Sequence, residues 1–264
     1  MKLRTPFARV VRARRSGCVG GHEPAAQLGP ALVIGALALV NLAKHRLPPG
    51  DVSFSAAAAL ALLLLARRSG LTWEQLGLGR EQLRSGGTWA LAAVVSVAGA
   101  YVAGVLTPRT RSAFLDSRYQ QDLPRALTTA LLVIPIGTVL LEEVGFRSVL
   151  WATLHRHSTP VGVMGLSSAL FGLWHVLPSL DFTVAHAAAG EPDETGLRQK
   201  AMVALGTVAF TALGGLVAGE MRRRSGSLLA SAGLHWATNG LGVLFGVAAW
   251  RFERRRAGAA ALTL

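Results

Sequence analysis

The chain holds a single cysteine, Cys18, among 264 residues. One thiol closes no internal disulfide, and without a second cysteine there is no zinc knuckle. Charge is also scarce: Asp, Glu, Lys and Arg make up 16% of the residues against 51% hydrophobic, and the mean hydropathy is +0.42. That composition overrides the one or two soluble domains that the length alone would suggest. Aromatic residues reach only 6%, which argues against a β-barrel with its aromatic girdles. Acidic residues are few, 14 against 27 Lys and Arg, for a net charge of +13. The excess does not mark a nucleic-acid binder. The arginines cluster between apolar runs, at Arg12-Arg14-Arg15, Arg67-Arg68, Arg222-Arg223-Arg224 and Arg254-Arg255-Arg256. This is the pattern of loops beside anionic lipid, and no basic patch alternates with stacking aromatics.

What is present is a series of apolar runs approaching the ~20 residues that cross a bilayer as a helix. The expected fold class is all-α, a polytopic membrane protein of about seven to eight transmembrane helices. Residues 1–27 are too basic, and too poor in an apolar core, for a cleaved signal peptide, and are expected to form a cytoplasmic tail. Spans are expected over 28–43, 52–66, 88–106, 125–155, 160–178 and 201–219, with a last apolar stretch over 227–250. Residues 71–86, with Trp73, Glu74, Gln75, Leu76 and Leu78, suggest an interfacial amphipathic helix. Residues 109–125 read as a loop, and Pro135 is expected to kink the fourth helix. Asn239-Gly240 leaves two readings of the last stretch: one long helix, or two pieces that turn back. A basic tail occupies 251–264. With the N-terminus inside, the basic turns at Arg67-Arg68 and Arg222-Arg223-Arg224 fall on the cytoplasmic side and the acidic 180–194 loop outside. The C-terminal arginines fit this orientation only if the last stretch turns back.

Three polar sites interrupt the apolar runs. Glu142, Glu143 and Arg147 lie in the fourth helix, His175 near the end of the fifth, and His235 and Asn239 in the last stretch. Ionised groups in hydrocarbon cost several kcal/mol, so they face a protein interior or wet cavity and have partners. Glu143 and Arg147, at i and i+4, share a face and can pair. Glu142 points about 100° away and can address a different cavity. His235 and Asn239 are also i and i+4. Glu142 and His175 lie ~15 and ~18 residues from the turn at His157, so both sit ~22–27 Å along their helices. His235 lies ~17 Å beyond the turn at Arg224. The three sites can therefore meet within the membrane. Trp174, Phe171 and Trp236 are expected to be packing or site walls.

A carboxylate and two neutral imidazoles suit two chemistries. They can bind and deprotonate a water, with glutamate as general base and a polar group on the oxyanion. They can also ligate zinc in an open catalytic site. Glu-Glu-x-x-x-Arg, Phe-x-x-x-His and His-x-x-x-Asn, in that order on successive membrane helices, resemble the CPBP family. This group includes the type II CAAX prenyl endopeptidases and the bacterial Abi, or bacteriocin-immunity, proteins. The resemblance covers about residues 124–250, as a catalytic membrane domain, and residues 28–123 carry no family signature. It implies an intramembrane endopeptidase in a cell membrane, acting on a peptide or membrane-protein substrate. Glu142 would be the general base. His175, His235 and Asn239 would hold the water and stabilise the oxyanion, or join Glu142 in holding Zn2+ if a metal is used. Glu143 and Arg147 would support the site. A non-proteolytic scaffold or immunity protein of the same family, and a proton- or cation-coupled transporter, are the alternatives.

Overall fold

The computed structural model describes residues 28–47, 51–179 and 197–261. The N-terminal tail with Cys18 and the acidic 180–194 loop lie outside these residues. Among the described residues there are helices and turns and no strand.

Helix α1, Pro30–His45, opens on a proline whose fixed φ suits the first turn, and Lys44 and His45 sit in its last turn, where cations meet the dipole. Helix α2, Val52–Arg68, is capped by Asp51, whose carboxylate accepts from Ser53 N at 3.0 Å and Phe54 N at 3.1 Å. Helix α3, Arg80–Leu106, begins a turn and more earlier than the apolar run alone suggests. Helix α4, Leu123–Leu154, is capped by Asp122 through Arg125 N at 2.9 Å. Helix α5 is Pro160–Ser179 and α6 is Leu197–Ser225. Helix α7 runs Leu228–Trp236, passes through a π-helical turn at Ala237–Leu241, and continues as Gly242–Ala261. Asn239-Gly240 thus widens the helix and does not reverse the chain.

Among the described residues four helices are long and apolar enough to cross a membrane: α3, α4, α5 and Lys200–Ser225 of α6. Their outward side chains, such as Leu91, Val95, Phe210 and Leu213, are 62–78% exposed, as befits surfaces facing acyl chains. Helix α1 is apolar but only 16 residues long. The α1–α2 turn also stops short. Val52 packs beside Gly137, which is ~21 Å along α4 from its start.

The segment after α2 differs from expectation. Residues 71–79 form a run of turns and no amphipathic helix, and Leu71 and Leu76 are fully buried. The reason is a set of tertiary hydrogen bonds to this backbone. Ser148 Oγ donates to Leu76 O at 2.8 Å, Arg222 Nη2 to Gln75 O at 3.0 Å, and Leu228 N to Gly77 O at 3.0 Å. Gly77, at φ +79°, lies against the Arg222 guanidinium, which a Cβ would meet at 2.6 Å. This end of the bundle therefore gathers the α2–α3 connection, the α6–α7 junction and the C-terminal part of α4. At the other end residues 108–119 are short helical turns, held by Trp250 Nε1 to Asp116 O at 2.9 Å and by the Arg111–Glu253 ion pair at 2.7 Å. The arginines that follow Glu253 sit at this second end, so both ends of the bundle are basic.

The centre of the fold is α4. In place of one kink at Pro135 it contains three π-helical segments, Thr129–Val133, Pro135–Leu140 and Glu143–Leu150. A π turn pairs each carbonyl with the N–H five residues on. Pro135 has no N–H, so Ala130 O loses its partner. Trp236 Nε1 of α7 supplies the missing donor at 2.8 Å. Further α4 carbonyls take side-chain donors in the same way. Ser55 Oγ of α2 reaches Gly137 O at 2.7 Å, and Lys44 Nζ of α1 bonds the same oxygen. Ser167 Oγ of α5 reaches Phe146 O at 3.2 Å, and Arg222 Nε of α6 reaches Arg147 O at 3.0 Å. Backbone groups without water must find such partners, so the irregular helix is tied to five neighbours. Every residue from Glu143 to Leu150 is buried.

Candidate functional site

Glu142 and Glu143 lie at the head of the third π segment and are 4% and 1% exposed. Their neighbours differ. Trp174 Nε1 of α5 donates to Glu142 Oε1 at 3.1 Å, which orients the carboxylate and leaves Oε2 without a hydrogen-bond partner. The two imidazoles approach that bare oxygen. His175 Nε2 lies 3.9 Å from Glu142 Oε2 and His235 Nε2 lies 3.8 Å from it.

The tautomers follow from what stands behind each ring. His175 lies at the break before the last turn of α5, and its Nδ1 is 2.8 Å from Phe171 O, a pure acceptor, so Nδ1 carries the proton and Nε2 presents a lone pair. His235 Nδ1 is 2.9 Å from Glu143 Oε1, with the same consequence. Three acceptors therefore converge on one small space, and none can satisfy the others. What that space requires is a donor.

A water's two hydrogens can serve Glu142 Oε2 and one of the imidazoles without movement. An oxygen ~2.8 Å from each atom would see each Glu–His edge under an angle of ~87°. A zinc ion at ~2.05 Å would see the same edges under ~140°, far wider than a tetrahedral site allows. The residue types suit zinc, but the spacing is about half an ångström too wide for it. Among the described residues no group of three His, Cys, Asp or Glu side chains is disposed to hold a metal ion.

Around this centre Glu143 has a double role. Its Oε1 faces His235 and lies 3.5 Å from Arg147 Nη1, one turn on. The Arg147 guanidinium also lies over the Phe171 ring, 3.7 Å from its centroid. Phe171 stands edge-on to His175 at 4.8 Å, to His235 at 5.9 Å and to Phe146 at 5.3 Å, and forms one wall of the site. Of the residues singled out from sequence, Glu142, Glu143, Arg147, His175 and His235 come together. Asn239 does not join them by any hydrogen bond. It sits in the π turn of α7, is exposed, and its side chain bonds no described residue.

Sequence reasoning missed three donors and one acceptor. Trp174 was expected to be a wall, and its indole N–H also holds Glu142. The Phe171 carbonyl fixes the His175 tautomer. From α1, Asn41 Nδ2 donates to Trp174 O at 3.0 Å and Lys44 binds Gly137 O. The only signal for these two is that polar side chains three apart lie near the end of an apolar run.

A buried group of acceptors held between helices of membrane length is what a multi-pass membrane protein encloses. Residues 124–241 match the family described as type II CAAX prenyl endopeptidase Rce1-like. The match includes Glu142, Glu143, Arg147, His175, His235 and Asn239, and none of α1 to α3. No curated protein and no solved structure matches the chain significantly.

Proposed function

We propose that this chain is an intramembrane endopeptidase that hydrolyses a peptide bond with a water activated by Glu142. The observation that carries the reading is the bare Oε2 of Glu142 facing two imidazole nitrogens at 3.8 and 3.9 Å. A water there donates one hydrogen to Oε2. As its oxygen attacks the scissile carbonyl, Glu142 takes that proton and later delivers it to the leaving amine. The Trp174 N–H keeps Oε1 occupied, so the proton is exchanged at Oε2.

The two histidines divide the remaining work. Behind His175 stands a neutral carbonyl, so that ring is suited to accept the water's second hydrogen. Behind His235 stands the Glu143 carboxylate, which can compensate an imidazolium. His235 is therefore the ring that, on taking up a second proton from solvent at Nε2, would donate it to the oxyanion. Arg147 offsets the charge of Glu143, and Asn239, one turn from His235, is reserved for contact with substrate. Residues 124–250 are the catalytic unit of this proposal, 1–27 and 251–264 its basic tails, and the N-terminus is cytoplasmic.

The test compares wild-type and Glu142→Gln protein in proteoliposomes with quenched fluorescent peptides that span the bilayer. Cleavage by the wild type, lost in a variant that folds normally, is expected. Wild-type turnover by Glu142→Gln overturns the reading, and ion-driven solute uptake without hydrolysis replaces it with a transporter.

A further inference from the structure

Helix α1 lies outside the family match, yet one of its faces is built into the site. Leu37, Asn41 and Lys44 recur at i, i+4 and i+7 and share a stripe. Leu37 packs so closely on Gly145 that a Cβ there would meet its Cδ2 at 2.7 Å. Asn41 holds the carbonyl of Trp174, whose indole in turn holds Glu142. Lys44 crosses to α4, where its ammonium bonds Gly137 O and meets Ser55 Oγ at 3.1 Å.

The charges of the site explain why a lysine stands there. Two carboxylates are buried side by side, and a buried anion in hydrocarbon needs a cation or a proton. Arg147 belongs to Glu143, at 3.5 Å. Glu142 has no arginine or lysine at ion-pair distance among the described residues. Lys44 is half-buried, is likewise without a carboxylate at that distance among the described residues, and places its ammonium on the backbone of α4 five residues before Glu142. Its two oxygen partners are neutral, so its charge is not consumed locally. The carbonyl it grips belongs to the π segment one turn and a half before Glu142.

We infer that Lys44 is a positioning residue for Glu142: its ammonium, held on Gly137 O, pins the π segment of α4 that leads into Glu142 and brings a positive charge to that side of the helix. This rests on the hydrolytic reading above for its catalytic consequence, though not for the pinning itself. The role belongs to the N-terminal helices, so the matched segment 124–241 is an incomplete site without α1.

The experiment uses the full chain in nanodiscs, with Lys44→Met, Lys44→Arg and Ser55→Ala. Two quantities are read: amide hydrogen exchange of residues 137–147, and kcat and KM on the spanning fluorescent peptides. Lys44→Met is expected to raise exchange over 137–147 while leaving α6 and the end of α7 unchanged. Its kcat should fall by about tenfold or more, with KM within about twofold. Lys44→Arg, which keeps the charge and a donor, should restore kcat to within about threefold, and Ser55→Ala should stay close to wild type. Unchanged exchange in Lys44→Met, exchange raised across the whole bundle, or an unaltered kcat in an active protein each overturns the inference. If the wild type cleaves nothing, the hydrolytic reading fails, and the exchange result alone decides whether Lys44 pins α4.

Discussion

Gly233 is where packing and chemistry meet most tightly, and Gly233→Ala tests how rigidly the site is held. Helix α7 crosses α3 at this glycine, two residues before His235. A Cβ at position 233 would lie 2.4 Å from Ala90 Cβ and 2.8 Å from Ala90 Cα. The latter atom is backbone and cannot swing aside. Restoring ordinary contact at ~3.6–4 Å requires α7 to withdraw from α3 by about 1 Å. The stability change is modest, because overpacking of about 1–3 kcal/mol is partly offset by the ~1 kcal/mol by which alanine favours a helix over glycine. The geometric change is not modest. His235 Nε2 is 3.8 Å from Glu142 Oε2 and its Nδ1 is 2.9 Å from Glu143, and a 1 Å displacement exceeds what either arrangement tolerates. A misplacement of this size costs about a hundredfold in rate. Turnover of spanning peptides should therefore fall by about two orders of magnitude, while the apparent melting temperature in detergent drops by only a few degrees. Gly165→Ala is the control, because nothing lies within 4 Å of its Cβ. It should leave turnover unchanged. Wild-type turnover in Gly233→Ala would refute the claim that His235 is fixed by the α3–α7 contact.

Two further outcomes follow from the same geometry. Arg222 is 1% exposed and, among the described residues, donates only to carbonyls, Arg147 O and Gln75 O. Arg222→Met strands both acceptors, and should lower stability by about 2–4 kcal/mol, read as thermal unfolding in detergent, with the 71–79 turns becoming protease-sensitive. Donor spacing too wide for zinc predicts that dialysis against a chelator leaves turnover intact, and that purified active protein carries well below one metal per chain, by elemental analysis. Loss of activity on chelation, restored by zinc, would show that the two histidines close around an ion.

The polar positions inside apolar runs were legible, because a carboxylate or imidazole at membrane depth has few structural uses. Glu142, Glu143, Arg147, His175 and His235 are read from residue type and spacing, and the structure gathers them. Partner assignment was less legible. Helical spacing pairs Glu143 with Arg147, and that pair forms, but Glu143 also faces His235 across α7, a contact no local pattern encodes. Three π segments in α4 were invisible for a related reason. Pro135 announces a disturbance, whereas its shape depends on donors from α1, α2, α5, α6 and α7 that satisfy the displaced carbonyls. Residues 71–79 misled because Trp73, Leu76 and Leu78 mimic an amphipathic stripe, while Ser148, Arg222 and Leu228 bind their backbone and pull Leu71 and Leu76 into the core. Lys44 and Asn41 carry no motif at all. They matter through where α1 ends, and that is set by packing.

The central claim is that Glu142, and not its neighbour, is the base. The direct measurement is the single-turnover rate of peptide hydrolysis in Glu142→Gln and Glu143→Gln, side by side with the wild type. Glu142→Gln should fall to the uncatalysed background. Glu143→Gln keeps Oε2 of Glu142 and both imidazoles in reach, and should lose only about ten- to a hundredfold. The reverse order, with Glu142→Gln active and Glu143→Gln dead, would contradict the account.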